Sequence, residues 1–419
     1  MNIKYLCSLI DERKDELFAL LSDLIKINSE NFGSHGNEAQ CARHVQALCQ
    51  KMGLQTALYS PLALKDFEKS PDYFPGRGLQ DRLNVAAVWK GAEDVNELML
   101  MAHTDTVVIG DVANWDRDSL SGEIKDGRIY GRGACDDKYA IAAALFLIRI
   151  LKENGFEPKK NLVFTAYCDE ELGGSHGAMA AVLRDPCNRI VNMDGKADQI
   201  WHCASGGQVV EYRYHTADIV DSAEKAALAL PIVMEEMREF GARRRAELEE
   251  NRFYAGTIIP GTSMRYMEVR AGNNGADLGE GKLQITYYTD KTKDEIYAEL
   301  AEIEKILDKK LASFGIKGDG FTPYTRFFHY GFCEPDCPDI LDMLSAAQEA
   351  TGKPPRVCGS CLSDLSIILK HSSADAYGYG AGRNFDDLGG AHQPNEFIEC
   401  DKLVEYTKNI GAYIVKVLG

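Results

Sequence analysis

Long apolar runs and an excess of positive charge are both missing from this sequence of 419 residues. The longest apolar run, residues 141–148, ends at Arg149, whereas a helix that crosses a bilayer needs about 20 apolar residues. Lys and Arg number 47 against 64 Asp and Glu, which gives a net charge of −17. Nucleic acids and anionic membranes repel so acidic a protein, and we expect neither as a partner.

The N-terminal segment also lacks the apolar core of a secretory signal, because charged residues begin within its first turns. We therefore expect a cytoplasmic protein in which the twelve cysteines are free thiols. The pairs Cys333/Cys337 and Cys358/Cys361 allow a structural zinc as an alternative. The flanking sequence lacks the turns of a zinc ribbon, which makes that alternative the less favoured one.

The hydrophobic pattern alternates between helical and strand periods. Apolar residues at helical spacing predict helices near residues 5–28, 37–52 and 138–154. Short apolar runs predict buried strands at residues 83–89, 98–102, 162–167 and 190–193. This alternation predicts an α/β fold with a mainly parallel, mixed sheet flanked by helices.

The pattern changes after Gly207. A half-exposed strand, a long charged helix, two strands and another helix follow, at residues 208–215, 220–250, 264–270, 282–288 and 292–312. This β-α-β-β-α order predicts a ferredoxin-like domain, residues 208–321, inserted into the first one. The α/β domain would then comprise residues 1–207 and 322–419, and its second part would add a helix, a strand and a final helix near residues 338–351, 375–379 and 401–418.

Three predicted strands each end in residues of the types that bind metals. The strand at 98–102 leads into His103 and Asp105, the strand at 162–167 into the acidic run 169–171, and the strand at 190–193 into Asp194. Carboxyl ends of parallel strands meet at one edge of an α/β sheet, so these side chains should converge there. His103 and Asp105 would point to the same side of an extended chain, where Asp105 could orient the imidazole.

A fourth acidic pair, Asp136-Asp137, follows a glycine-rich turn at a helix N-terminus. Many carboxylates at one sheet edge repel one another, and bound cations are the simplest remedy. Histidine and carboxylate ligands suit zinc, with cobalt or manganese as alternatives. The side chains of Glu170 and Glu171 diverge, so one can bind a metal while the other acts as general base on a water.

Five motifs occur along the chain in an order typical of one family: HTDTV at 103–107, GRGACDDK at 131–138, DEELGG at 169–174, DG at 194–195 and AHQPNEF at 391–397. Together they resemble the motif series of the aminoacylase / carboxypeptidase G / succinyl-diaminopimelate desuccinylase family of two-metal amide hydrolases. The resemblance extends over most of the chain outside residues 208–321.

The resemblance implies a role for each motif. Two Zn²⁺ per chain would be bound by His103, Asp136, Glu171, Asp194 and His392. Asp136 would bridge the metals, His103 and Asp194 would complete one site, and Glu171 and His392 the other. Two further residues would be catalytic: Glu170 as the proton carrier and Asp105 as the residue that orients His103. The resemblance also implies a cis peptide bond between Asp136 and Asp137.

The resemblance further implies that the inserted domain is a lid, which in this family closes over the substrate and often forms a homodimer interface. Family members that act on free-amino peptides tend to carry Asp at the position of Asp194, and those that act on N-acyl groups tend to carry Glu. Hydrolysis of a small peptide by a dipeptidase- or aminopeptidase-like enzyme is therefore favoured. The alternatives are a deacylase of N-acyl amino acids and, from another class, a non-catalytic metal- or peptide-binding module.

Two departures from the family pattern leave substrate recognition open. The glycine-rich loop near the C-terminus, residues 359–365, lacks the arginine that it often carries in the family. His215 and the two residues after it match only loosely the lid motif that helps to hold the oxyanion. We expect four other histidines on the surface or in helices: His35, His44, His176 and His371.

Overall fold

A computed structural model of the protein describes residues 1–273 and 278–419. The chain forms two compact units. The first comprises Met1–His202, Phe332–Cys358 and Ile367–Gly419, and the second comprises Cys203–Gly331 and Gly359–Ser366. That residues 208–321 act as a lid and form a homodimer stays a prediction.

The principal sheet is mixed, as the alternation of helices and strands predicts. Its path runs through Gln55–Tyr59, Asn84–Trp89, Lys160–Tyr167, Glu93–His103, Arg189–Asn192, Asp375–Tyr379, Gln199–Ala204 and Gly331–Phe332, and Arg356–Ser360 pairs with Gln199–Ala204. The central pairings are parallel. Asn84–Trp89 pairs antiparallel with both of its neighbours, Gln55–Tyr59 and Lys160–Tyr167. The predicted α/β fold class is therefore confirmed.

Eight α-helices accompany this sheet: Ile3–Glu12, Lys14–Ile25, Ala39–Lys51, Lys138–Glu153, His176–Arg184, Pro338–Thr351, Leu365–His371 and Cys400–Leu418. The single helix predicted near residues 5–28 is in fact two helices that meet at Arg13. The guanidinium of Arg13 donates to Glu16 and to Glu153, which lies on another helix. The core of this unit is formed by the apolar faces of these helices and the central strands.

The register of the paired strands determines where along the sheet edge the polar residues after each strand lie. Glu93–His103 pairs with Lys160–Tyr167 so that His103 lies beside Tyr167, two residues before Asp169. On its other side Met101 lies beside Asn192, two residues before Asp194. The three strands therefore end at the same edge of the sheet, as predicted.

A small three-stranded sheet lies apart from the principal one in strand pairing and joins two further segments of the chain. It contains Ile124–Lys125, Arg128–Tyr130 and Phe397–Glu399. Tyr130 pairs with Phe397, which places the turn that contains Asp136 beside the segment that contains His392. None of these three short strands was predicted, because two or three residues are too few to show an alternating pattern.

The second unit has a four-stranded antiparallel sheet in the order Met264–Gly272, Glu280–Thr289, Gly206–Thr216 and Ile316–Pro323. The helices Ser222–Glu250 and Lys293–Ala312 pack on it. This is a β-α-β-β-α-β ferredoxin-like order, with one strand more than the sequence predicts. The strand Ile316–Pro323 was missed because two glycines and a proline weaken its strand pattern.

Two further features concern the state of the cysteines and the length and polarity of the helices. All twelve cysteines are free thiols. Over the part of the chain that the structure describes, each helix is too short or too polar to cross a membrane.

The central strand offers a test of the fold. Leu100 is fully buried, so Leu100→Ala should lower the free energy of unfolding by about 2–5 kcal/mol through lost burial and a residual cavity. The tryptophans, Trp89, Trp115 and Trp201, all lie in the first unit. Urea unfolding followed by tryptophan fluorescence therefore reports on that unit. Leu183→Ala, at a 46% exposed position, is the matched control, and equal effects of the two variants would contradict the assigned core.

Candidate metal centre

Two groups of side chains in the first unit are close enough to hold a metal ion each. One contains His103, Asp136 and Asp194, and the other contains Asp136, Glu171 and His392. Within each group, one potential ligand atom per residue lies within 4.8 Å of the others. The structure thus brings together all five residues predicted as metal ligands, and their role as ligands stays a prediction.

Asp136 belongs to both groups, and each of its carboxylate oxygens faces a different imidazole. Oδ1 lies 3.1 Å from Nε2 of His103, and Oδ2 lies 3.1 Å from Nε2 of His392. Nε2 of His392 also lies 3.0 Å from Oε2 of Glu171. The peptide bond between Asp136 and Asp137 is cis, as the resemblance implies. A carboxylate with one oxygen toward each group suits a position between two cations.

The pKa values of the two histidines show how negative this region is. Burial by itself lowers the pKa of His103, but the hydrogen bond with Asp136 and the charge of Glu170 raise it well above its usual value. Burial also lowers the pKa of His392, and the charge of Glu171 with the hydrogen bond to Asp136 raises it to about 11. Surroundings that favour protons on two imidazoles so strongly also attract metal cations.

Asp137 places a further carboxyl group in this region. Its side chain is fully buried, and one oxygen accepts a hydrogen bond from the main-chain N–H of His103 at 3.2 Å. Its other oxygen has no hydrogen-bond partner among residues 1–273 and 278–419. Burial raises the pKa of Asp137 well above its usual value, and the charge of Asp194 adds to the effect. The two imidazole nitrogens and the several carboxylates form a donor set that fits zinc or a similar dication.

On its Nδ1 side, the imidazole of His103 is held by a main-chain carbonyl rather than by the Asp105 carboxylate. Its Nδ1 lies 2.9 Å from the carbonyl oxygen of Asp105 and 3.8 Å from the Asp105 carboxylate. A carbonyl only accepts, so Nδ1 carries a proton, and Nε2 is directed at Asp136. The residue predicted to orient His103 therefore contacts it through a different group from the one expected. The strand ends at His103, so strand alternation no longer sets the direction of the Asp105 side chain.

The Asp105 carboxylate instead holds the predicted base and its neighbour. Its two oxygens accept the main-chain N–H of Glu170 at 3.1 Å, the N–H of Glu171 at 2.9 Å and the Asn31 amide at 2.8 Å. Asn31 also donates to the carbonyl of Glu171 at 2.9 Å. Glu170 is half-buried, and its negative charge raises the pKa of His103.

A buried cluster of charged side chains adjoins the segment of Glu170 and Glu171 and is centred on Asp169. Its carboxylate accepts hydrogen bonds from Arg77 at 2.6 Å, from His176 at 2.6 Å and from Arg82. Burial raises the pKa of Asp169, but the His176 hydrogen bond and the charge of Arg77 outweigh it, and the pKa is lowered. Arg77 also donates to the carbonyl of Glu171 at 2.9 Å. The contacts of Arg77 and His176 therefore hold the acidic run 169–171 in place.

His176 was expected on the surface or in a helix. It does begin the helix His176–Arg184, but it is fully buried. Its role in the Asp169 cluster could not be predicted, because Arg77 and Arg82 lie 92 and 87 residues before Asp169 in the sequence. His215, the loose match to the lid motif, lies in the second unit with Nδ1 3.0 Å from Oδ1 of Asp319.

A buried ion pair holds the second group. Arg132 lies 2.7 Å from Glu396, and the other oxygen of Glu396 accepts the N–H of Cys135 at 2.9 Å. Arg132 also donates to the carbonyls of His392 at 3.4 Å and Gln393 at 3.3 Å. The pair thus ties the turn before Asp136 to the segment of His392. Arg132 and Glu396 lie in the motifs GRGACDDK and AHQPNEF, but no pattern in the sequence indicates that they pair.

Comparisons with known proteins agree with the motifs. The sequence model of Peptidase family M20/M25/M40 matches residues 99–416. An uncharacterised metallohydrolase of Methanocaldococcus jannaschii is 24% identical, over 93% of this chain and 97% of its own. A deformylase of N-formyl-4-amino-5-aminomethyl-2-methylpyrimidine from Bacillus subtilis is 24% identical, over 97% and 95%. A solved dipeptidase of Saccharomyces cerevisiae has the same fold, with a TM-score of 0.76 at 15% identity over 99% and 98%.

The Asp105 carboxylate can be tested by Asp105→Asn. Asparagine offers one acceptor oxygen and an NH₂ group that would face main-chain donors, so the segment of Glu170 and Glu171 should shift. We expect zinc affinity to fall about 10- to 100-fold, as is typical when a group that supports a ligand is removed. A zinc titration against a competing chelator measures this. Asp401→Asn, at an exposed position, is the control, and wild-type affinity in Asp105→Asn would contradict the assigned role.

Proposed function

Because the chain belongs to Peptidase family M20/M25/M40 and is a metal-dependent hydrolase that acts on C–N bonds, we propose that it cleaves an amide bond in a small peptide with the help of two divalent metals. The observation that carries the proposal is the position of Asp136, which is shared by two groups of potential ligands. Zinc is the metal that best suits two histidines and three carboxylates, with cobalt or manganese as alternatives.

The residues would divide between two ions. His103, Asp136 and Asp194 would hold one, and Asp136, Glu171 and His392 the other. When bound, such ions polarise the carbonyl of the scissile amide and lower the pKa of a water toward neutrality. The alternative of a non-catalytic binding module is not favoured, because Glu170 is held in place beside the ligands without belonging to either group.

Glu170 would carry the protons. Its carboxylate would accept a proton from the water that attacks the amide carbon, and would then deliver it to the amine nitrogen as the C–N bond breaks. The Asp105 carboxylate holds the main-chain N–H groups of Glu170 and Glu171. It would thereby keep the proposed base, Glu170, at a constant distance from the proposed ligand, Glu171. Such fixed placement is what a proton transfer over hydrogen-bond distance needs.

Asp194 supports a free-amino peptide as the substrate, because family members with this preference tend to carry Asp at that position. A deacylase of N-acyl amino acids is the second candidate. It is supported by the relative from Bacillus subtilis, whose name states that it removes a formyl group. In both reactions an amide is hydrolysed, and the two candidates differ in the group that lies on the carbonyl side.

The role of Glu170 predicts the behaviour of Glu170→Gln. The amide cannot accept a proton, so kcat should fall by about 10²- to 10⁴-fold. The ligand groups do not include Glu170, so the variant should still hold two zinc ions per chain by elemental analysis. Glu349→Gln, on the exposed face of another helix, should keep full activity. Normal turnover by Glu170→Gln would rule out the assigned mechanism.

The metals and the substrate class can be tested together. Protein stripped with a chelator should lose its activity and regain it with added zinc, cobalt or manganese. The restored enzyme should hydrolyse free dipeptides faster than formyl-, acetyl- or succinyl-blocked amino acids, with release of amino acid as the measurement. Activity that survives metal removal would contradict the proposal, and activity on blocked substrates alone would favour the deacylase.

A further inference from the structure

Tyr139 joins the helix that follows Asp136 to the loop that presents Asp194. It is the second residue of the helix Lys138–Glu153, and its side chain is fully buried. Its hydroxyl donates to the carbonyl of Met193 at 2.8 Å, with the carbonyl of Gly195 at 3.3 Å, and accepts the N–H of Ala381 at 2.9 Å. The carbonyls on both sides of Asp194 therefore converge on this one hydroxyl.

We propose that Tyr139 is a positioning residue for one of the two metals: its hydroxyl fixes Asp194 relative to Asp136 and so sets the affinity of the group His103, Asp136 and Asp194. The proposal rests on the proposed two-metal function. It assigns Tyr139 no contact with substrate or metal, and it predicts that the second group is independent of the hydroxyl.

The surroundings of Tyr139 are shaped around the hydroxyl. Gly380 approaches it so closely that a Cβ there would lie 2.3 Å from the hydroxyl oxygen and 2.3 Å from the carbonyl oxygen of Gly195. Only glycine leaves room for this meeting of side chain and main chain. Burial and the charge of Asp137 raise the pKa of Tyr139 well above its usual value, so the hydroxyl keeps its proton and remains a donor.

The second group is supported by other residues. One oxygen of Glu171 accepts the N–H of Val107 at 3.0 Å, and its main chain is held by Asp105. The carbonyl of His392 is held by Arg132. Because these supports do not involve Tyr139, loss of its hydroxyl should affect the two metals unequally.

The Asp194 loop has further main-chain anchors. Met193 donates to the carbonyl of Met101 at 2.7 Å, and Gly382 donates to the carbonyl of Gly195 at 2.8 Å. Tyr139→Phe keeps the ring, which packs edge-on against Tyr406 with 5.5 Å between the centroids. The variant should therefore fold, and only the exact placement of Asp194 should change.

Tyr406→Phe is a matched control. Tyr406 is also buried, and its hydroxyl donates to the carbonyl of Tyr379 at 3.1 Å, which belongs to a strand and not to the Asp194 loop. Any general effect of removing a buried tyrosine hydroxyl should appear equally in both variants, as a similar change of melting temperature. An effect on a single metal should appear in Tyr139→Phe alone.

The experiment is a zinc titration of the metal-stripped full chain by calorimetry with a competing chelator. The wild type should bind two zinc ions in two resolvable steps. In Tyr139→Phe one step should weaken by about 10- to 100-fold, and the other should keep its affinity. Equal weakening of both steps, unchanged affinity in both, or the same change in Tyr406→Phe would overturn the role of Tyr139.

Double variants identify the step. If Tyr139 acts through Asp194, adding Tyr139→Phe to Asp194→Asn should cause no further loss of affinity. Added to His392→Ala, it should weaken the step that remains. Further weakening in the Asp194→Asn background would overturn the proposal. A wild type that binds fewer than two zinc ions would instead overturn the two-metal function, a result that the wild-type titration alone identifies.

Discussion

Carboxylates crowd the edge of the principal sheet at which its parallel strands end, and their mutual repulsion is the constraint on which the rest of the first unit depends. Asp105, Asp137 and Asp169 are fully buried there, and Asp136 and Glu171 are close to them. A buried carboxylate is stable only with hydrogen-bond donors or a positive charge beside it. The arrangement of the surrounding loops can be understood as the supply of those partners.

The partners are of two kinds, and they separate structure from chemistry. Asp105, Asp169 and Glu396 receive main-chain N–H groups, guanidinium groups or an amide, and Asp169 also receives the buried imidazole of His176. Their hydrogen bonds are directed within the protein, so these carboxylates support loops. Asp136 and Glu171 instead face the imidazoles of His103 and His392, which belong to the same two groups of potential ligands, and imidazoles and carboxylates share the ability to bind a dication. The division explains why a motif rich in acidic residues contains both supports and candidate ligands.

Much of this could be predicted from the sequence, because it depends on short-range patterns. An apolar run that ends in His103, and others that end before Asp169 and Asp194, fix the strands, and the carboxyl-edge rule brings their ends together. The supports could not be predicted in this way. Arg82 and Asp169 are 87 residues apart, and Arg132 and Glu396 are 264 apart. Nothing in the local sequence of an arginine or a tyrosine indicates a distant partner. That Asp105 contacts His103 through its carbonyl could not be predicted either, because the strand ends at His103, two residues before Asp105.

The sharing of Asp136 has a topological consequence. An ion held by His103, Asp136 and Asp194 would close a chain loop from residue 103 to residue 194. A second ion, held by Asp136, Glu171 and His392, would close a longer loop from residue 136 to residue 392, which includes all of Cys203–Gly331. Asp136 would take part in closing both loops. Cross-links that close long loops restrict the unfolded chain most, so the ions that serve the reaction would also act as staples that oppose unfolding and proteolysis.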